Sequence, residues 1–131
     1  MNKKKKWISI AIIFACLTAQ FSAIGYAAGN ASFDVTLPNW QRKVVLGTGE
    51  NQNTANQYSV IKVTGGTVNT VYARTELANT GDDVSNWVAA PNDGNEYKIY
   101  YTNKLGAGTS LTIKGYQKNV LSKTAKGEIW F

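Results

Sequence analysis

The chain contains no histidine. That absence removes Ser-His-Asp and Cys-His nucleophile pairs, histidine zinc sites and histidine acid-base chemistry. The acid-base equipment that remains is carboxylate. Asp82, Asp83, Asp93 and Glu96 fall near turn residues, and two of them flanking a glycosidic bond would be the hydrolytic arrangement open to this chain. Turn aspartates more commonly accept bonds from backbone amides, and so small a domain offers little room for a walled cleft, so no catalytic residue is assigned. The same acids offer oxygen ligands of the kind calcium takes, but their spacing is not that of a dedicated calcium loop, and neither a metal nor a cofactor is expected.

Binding chemistry rests with the aromatic residues Trp40, Tyr58, Tyr72, Trp87, Tyr97, Tyr100, Tyr101, Tyr116 and Trp130. Most of them are expected in the core, because large rings supply buried area that sulfur bridges do not. Tyr100 and Tyr116 are expected outside it. In their alternating runs they fall with Lys98, Thr112 and Lys114, on the faces opposite Ile99, Leu111 and Ile113. Rings beside lysines on an open sheet face suit a sugar ring or a protein partner. Tyr100, Tyr116, Lys98 and Lys114 therefore form the expected ligand-binding set.

The elements that must position these side chains are strands. Short runs of Val, Ile, Thr and Tyr alternate in period 2 between gaps rich in Gly, Asn and Asp. Strands are expected at residues 33–37, 42–46, 58–64, 67–77, 87–90, 96–103, 110–116 and 128–131, with an amide-rich loop at 50–57. Gly65 and Gly66 between two β-branched runs predict a hairpin closed by a type I′ turn, with positive φ at both glycines. In that hairpin Val63 faces Val68, Ile61 faces Thr70 and Val60 faces Val71. Apolar residues then fall on both faces, so both are expected to be partly covered. The count of about seven or eight short strands at roughly 10-residue spacing, with no convincing helix, predicts an all-β fold. A single antiparallel β-sandwich is the expected architecture and a small β-barrel the alternative.

Ahead of the strands stands an address. Lys3, Lys4, Lys5 and Lys6 precede an uncharged, mostly apolar run over residues 7–24, and Gly25 and Ala27 place small residues where a signal peptidase reads. Residues 1–27 are read as a secretory signal peptide and residues 28–131 as the β-sandwich domain. Thr18, Gln20 and Ser22 dilute the run below what a membrane span requires. Cys16, preceded by Ala15 and with Ile13 three before it, offers a lipoprotein alternative, which the bulky Phe14 fits badly. Cleavage after Ala27 leaves 104 of the 131 residues and removes the only Cys and the only Met. The domain is therefore free of disulfides, and packing and backbone pairing must stabilise it alone.

Maturation also changes the charge. Four of the fourteen Lys and Arg residues leave with the signal, so ten cations face all eight acids. Without a basic cluster a nucleic-acid partner is not expected, and a weak attraction to anionic cell-wall polymers is. No membrane association is expected once the signal is removed. The Lys-rich leader, the runs at 97–103 and 106–115, and the closing Gly127, Glu128, Ile129 and Trp130 resemble the uncharacterised small secreted, β-rich proteins of Gram-positive bacteria. What the resemblance implies is location and fold, and it assigns no residue a role. The function expected is that of a secreted, non-enzymatic binding protein, directed at cell-wall or extracellular carbohydrate. The alternative is a protein-directed secreted factor, such as an inhibitor, a bacteriocin-like antagonist or a matrix subunit. Mass spectrometry of culture medium is expected to find an N-terminus at Ala28; a membrane-bound species beginning at a modified Cys16 would replace secretion by lipid anchoring.

Overall fold

The computed structural model describes residues 30–52 and 57–131. The segment expected to be a signal peptide, the expected cleavage site and Cys16 lie outside the described residues. Eight strands follow in order: β1 (Asn30–Leu37), β2 (Val44–Glu50), β3 (Tyr58–Gly65), β4 (Thr70–Leu77), β5 (Val88–Pro91), β6 (Glu96–Tyr100), β7 (Ser110–Tyr116) and β8 (Lys123–Trp130). They form two four-stranded antiparallel sheets, the first ordered β1-β8-β3-β6 and the second β2-β7-β4-β5. The fold is a β-sandwich, and neither sheet closes into a barrel. Both sheets and both core clusters lie within residues 30–131.

Alternation decides which side chains meet between the sheets. Phe33 and Leu37 of β1, Ile61 and Val63 of β3, Val71 and Ala73 of β4, Ile113 of β7 and Ala125 and Ile129 of β8 point inward and are buried. A second cluster of Val84, Tyr101 and Leu111 fills one end. The strand over 110–116 stands where alternation puts it. The expected hairpin does not form. Gly65 pairs with Lys126 across a bulge in the β3–β8 ladder, only Gly66 of the two glycines has positive φ, at 94°, and Val68 donates to the Thr124 carbonyl at 3.0 Å. The chain thereby crosses from the first sheet to the second. The reason is burial: the hairpin register would put Ile61 and Val71 on opposite faces, whereas placing β4 in the facing sheet lets both reach one core, where both are fully buried.

The same crossing recurs along the chain. Of the consecutive strand pairs, only β4 and β5 lie in one sheet. The closing strand is also longer than its apolar residues suggest, running from Lys123 between β1 and β3. Its inward positions at 125 and 127 are Ala and Gly, and Gly127 leaves the space that the Phe33 ring and the Lys62 carbonyl occupy. Across the sandwich, Gly47 of β2 faces Ile129, whose Cδ1 would lie 2.6 Å from an added Cβ, and Gly49 faces the Phe131 ring at 2.5 Å. Hydroxyls also stitch the sheets. Thr75 Oγ1 of β4 donates to Ser59 Oγ of β3 at 3.1 Å, and Ser59 Oγ shares a 2.7 Å bond with the Tyr101 hydroxyl. Among the described residues every buried side-chain nitrogen and oxygen has a partner.

At one end the loop over 38–43 runs beside the loop over 117–122, because Leu37 pairs with Lys123 and Val44 with Gly115. Gln117, fully buried, joins them. Its Nε2 donates to the carbonyls of Pro38 at 3.0 Å, Leu121 at 2.9 Å and Asn119 at 3.3 Å, while its Oε1 accepts from the Asn119 amide. In the neighbouring loop Trp40 and Gln41 both adopt left-handed backbone, with φ of 60° and 58°. Two such adjacent non-glycine residues are rare and cost about 1–2 kcal/mol each.

The Gly127 contacts set an expectation. Gly127→Ala forces a methyl group onto the Lys62 carbonyl and the Phe33 ring and is expected to cost about 1–3 kcal/mol in urea unfolding. Gly106→Ala, whose nearest neighbour would be Thr109 Oγ1 at 4.0 Å, is expected to stay within about 0.5 kcal/mol of the parent. Equal midpoints would show that the slot is not filled as described.

Candidate functional site

The aromatic residues are mostly outside the core. Of the nine rings considered from the sequence, only Tyr101 is buried, which corrects the expectation that most of them fill the interior. Aliphatic side chains and Phe33 fill most of it instead; Tyr97 packs against its edge, Trp40 stands in an end loop, and the other six rings lie on the two outer faces.

On the outer face of the first sheet, cross-strand register sets Tyr58 opposite Tyr100, and Val60 opposite both Lys98 and Trp130. Tyr58 and Tyr100 meet edge to face with centroids 5.6 Å apart, and Lys98 Nζ lies 4.7 Å above the Tyr58 ring. Tyr100 is 61% exposed. Beside this pair a shallow depression of about 300 Å³ is lined by Tyr58, Val60, Glu96, Trp130 and Phe131. Its floor is fixed from behind: Ile129 points into the core, Trp130 points out, and Phe131 packs on Gly49 of the opposite sheet. Among the described residues, no ring or cation stacks on Trp130.

The outer face of the second sheet is built differently. Tyr72 and Tyr116, cross-strand partners, stack at 5.2 Å with planes 17° apart, and Trp87 meets Tyr116 edge on at 4.8 Å. The Arg74 guanidinium lies 4.3 Å from the Trp87 ring centre, and Lys118 Nζ 4.3 Å from that of Tyr72. Beneath the rings, Glu76, almost wholly buried, takes ion pairs from Arg74 at 2.7 Å and Lys114 at 3.0 Å. Burial alone would raise the Glu76 pKa, but the bonds and charges of Arg74 and Lys114 outweigh it and hold the carboxyl below its ordinary value. These rings and charges are occupied with one another, so a ligand would have to displace a cation or a ring to stack here.

No protein-family model, curated protein or solved structure matches this chain. The geometry alone must therefore distinguish the two faces. The sequence places Tyr100, Lys98, Tyr116 and Lys114 in one set; the structure divides them. Tyr100 and Lys98 do not line the depression but contact Tyr58, which does, whereas Tyr116 and Lys114 belong to the paired lattice on the opposite side of the sandwich. Trp130, Tyr58 and Glu96 complete the depression and were not singled out. Position parity was the available signal, because Tyr58 shares its face with Lys62 as Tyr100 shares its face with Lys98. The carboxylates do not converge: Asp83 pairs with Arg74 at 3.1 Å, while Asp93 accepts from the Tyr97 hydroxyl at the other end of the sandwich. Among the described residues, no three acids gather where a metal would sit.

Glu76 generates a pH expectation. A carboxyl held below its ordinary value contributes stability that is present above that value and lost as pH falls through the depressed one. Glu76→Gln is expected to cost about 1–3 kcal/mol at neutral pH by leaving Arg74 and Lys114 without their acceptor charge. It is also expected to flatten the loss of stability on acidification below the ordinary carboxylate range. Parallel stability-pH curves for parent and variant would show that Glu76 does not carry the acid limb.

Proposed function

We propose that the protein is a secreted, non-enzymatic binding protein whose first sheet takes carbohydrate of the cell wall or extracellular space. The observation that supports this most is the depression walled by Trp130 and Tyr58, with a carboxylate and an ammonium at its rim. A sugar ring presents an apolar C–H face suited to an aromatic ring and hydroxyl edges that need acceptors and donors. Trp130 offers a half-exposed ring, Glu96 the acceptor, and Lys98, which lies over Tyr58, a donor beside it, with Tyr100 packed on the far side of Tyr58. The volume lies at the small end of ligand sites, which favours one sugar unit of a polymer over an enclosed ligand. Ten cations against eight acids in the domain favour a glycan that carries negative charge.

A second reading has its own observation. β1 is an eight-residue edge strand that pairs with β8 on one side in unbroken register, with no bulge and no proline. Such an edge accepts a strand from another chain, the contact that an inhibitor, an antagonist or a matrix subunit would use.

Retention on purified cell wall and on a glycan array tests the first reading. Trp130→Ala is expected to weaken binding by about 1–3 kcal/mol while leaving the circular dichroism melt nearly unchanged, and Tyr116→Ala to leave affinity unaltered. Binding to no glycan, together with capture of a protein from culture supernatant that is lost when proline is placed in β1, would transfer the function to the edge strand.

A further inference from the structure

The end of the sandwich opposite Asn30 carries a surface that the carbohydrate reading does not use. We propose that the paired loops over 38–43 and 117–122 dock on a lipid surface with anionic headgroups. Three large apolar side chains stand in solvent there: Trp40 at 70% exposure, Val120 at 61% and Leu121 at 68%. Together they are three of the five large hydrophobic residues exposed on the described chain, and they occupy two adjacent loops.

Three further features separate this tip from an ordinary exposed loop. The buried Gln117 amide binds carbonyls in both loops, so the apolar side chains are held on a common base and do not move independently. Left-handed backbone at Trp40 and Gln41 gives the loop that carries the exposed indole a conformational cost. The charge around the tip has one sign. Arg42, Lys43 and Lys118 lie in these loops and Lys123 follows them, while neither loop holds an acid; Lys118 and Lys43 also sit over the Tyr72 and Trp87 rings at 4.3 and 5.5 Å, so their ammonium groups reach an anionic surface only by leaving or sharing those rings. Asp93 is the one acid in the four loops at this end, and its carboxylate already accepts from the Tyr97 hydroxyl and the Asn95 amide.

Protruding apolar side chains ringed by cations match the boundary between headgroups and acyl chains, where Trp settles at the headgroup level and Lys and Arg meet anionic lipid. The single sign of these charges complements an anionic surface. Three apolar side chains and four cations make a reversible contact that weakens as salt rises. Docking at this end modifies the expectation that no membrane association remains once the signal is gone. The inference does not rest on the sugar site, whose residues lie on the outer face of the first sheet.

Residues 28–131, which hold both sheets and both core clusters, serve for the test, because the apolar leader would itself bind lipid. The domain is expected to sediment with phosphatidylglycerol vesicles at about 0.1 M salt and to bind phosphatidylcholine vesicles about tenfold more weakly. Trp40→Ala combined with Leu121→Ser is expected to lower the vesicle affinity about tenfold with the dichroism spectrum unchanged. Should that double variant misfold, brominated lipid decides: quenching of tryptophan emission in the parent is expected to vanish in Trp40→Phe, since Trp87 and Trp130 stay off the bilayer. Absence of binding to phosphatidylglycerol overturns the proposal. So does binding indifferent to both variants, which would be charge attraction alone. Self-association that depends on Trp40, without vesicle binding, would assign the tip to a protein contact instead.

Discussion

The sandwich closes because glycine stands wherever a large side chain must pass. Without a sulfur bridge, the two sheets are held by how closely their inner faces approach, and that approach is set by Ile129 over Gly47 and Phe131 over Gly49. Within the first sheet, Gly127 admits the Phe33 ring and the neighbouring Lys62 backbone. The same contacts carry the candidate site. Residues 129, 130 and 131 alternate inward, outward and inward, so the indole that walls the depression is flanked by two side chains locked into the opposite sheet. Its orientation thus depends on core packing and not on a loop, which suits a platform that must hold a ring face still.

The two outer faces divide the aromatic residues by how fully each ring is already used. On the second sheet, stacking, cation-π contacts and the Glu76 ion pairs satisfy the rings and charges among themselves. Such a lattice covers the sheet with large side chains without closing a third layer over it. The first sheet carries as many rings, Tyr58, Tyr100 and Trp130, but among the described residues no ring or cation stacks on its half-exposed indole. A ligand stacking on the indole displaces no ring or cation, whereas one on the second sheet would first have to break internal contacts.

Much of the architecture was legible in the chain. Alternation located β7 without error and identified most of the other strands, since Leu, Ile and Val at every second residue have one use in a domain of this size. Where the inner face is written in small residues, that signal fades. Residues 123–127 of β8 carry Ala125 and Gly127 inward, so no apolar alternation marks them and the strand is expected only from 128, although it begins at Lys123 in the middle of a sheet. The Gly65-Gly66 pair misled because local turn chemistry was outweighed by the requirement that Ile61 and Val71 share a core. Polar residues with long-range duties were equally opaque. Asn51, in an amide-rich stretch that reads as solvated loop, is buried and binds the carbonyls of Leu105 and Gly106, and Gln117 governs two loops from within. Neither role leaves a periodic trace. For the site, parity indicated which tyrosines face outward but could not tell which sheet each face belongs to.

The place of β8 bears on how the chain is made. The ribosome delivers β1 and β3 long before the strand that must lie between them, and nearly every other ladder joins strands distant in sequence. Only β4 and β5 can pair soon after emerging. A nascent chain of this topology has an empty slot at the centre of one sheet and cannot acquire its cooperative core until β8 follows. Strand order itself therefore postpones folding until nearly the whole chain has been synthesised, and an incomplete chain exposes the slot that β8 will fill.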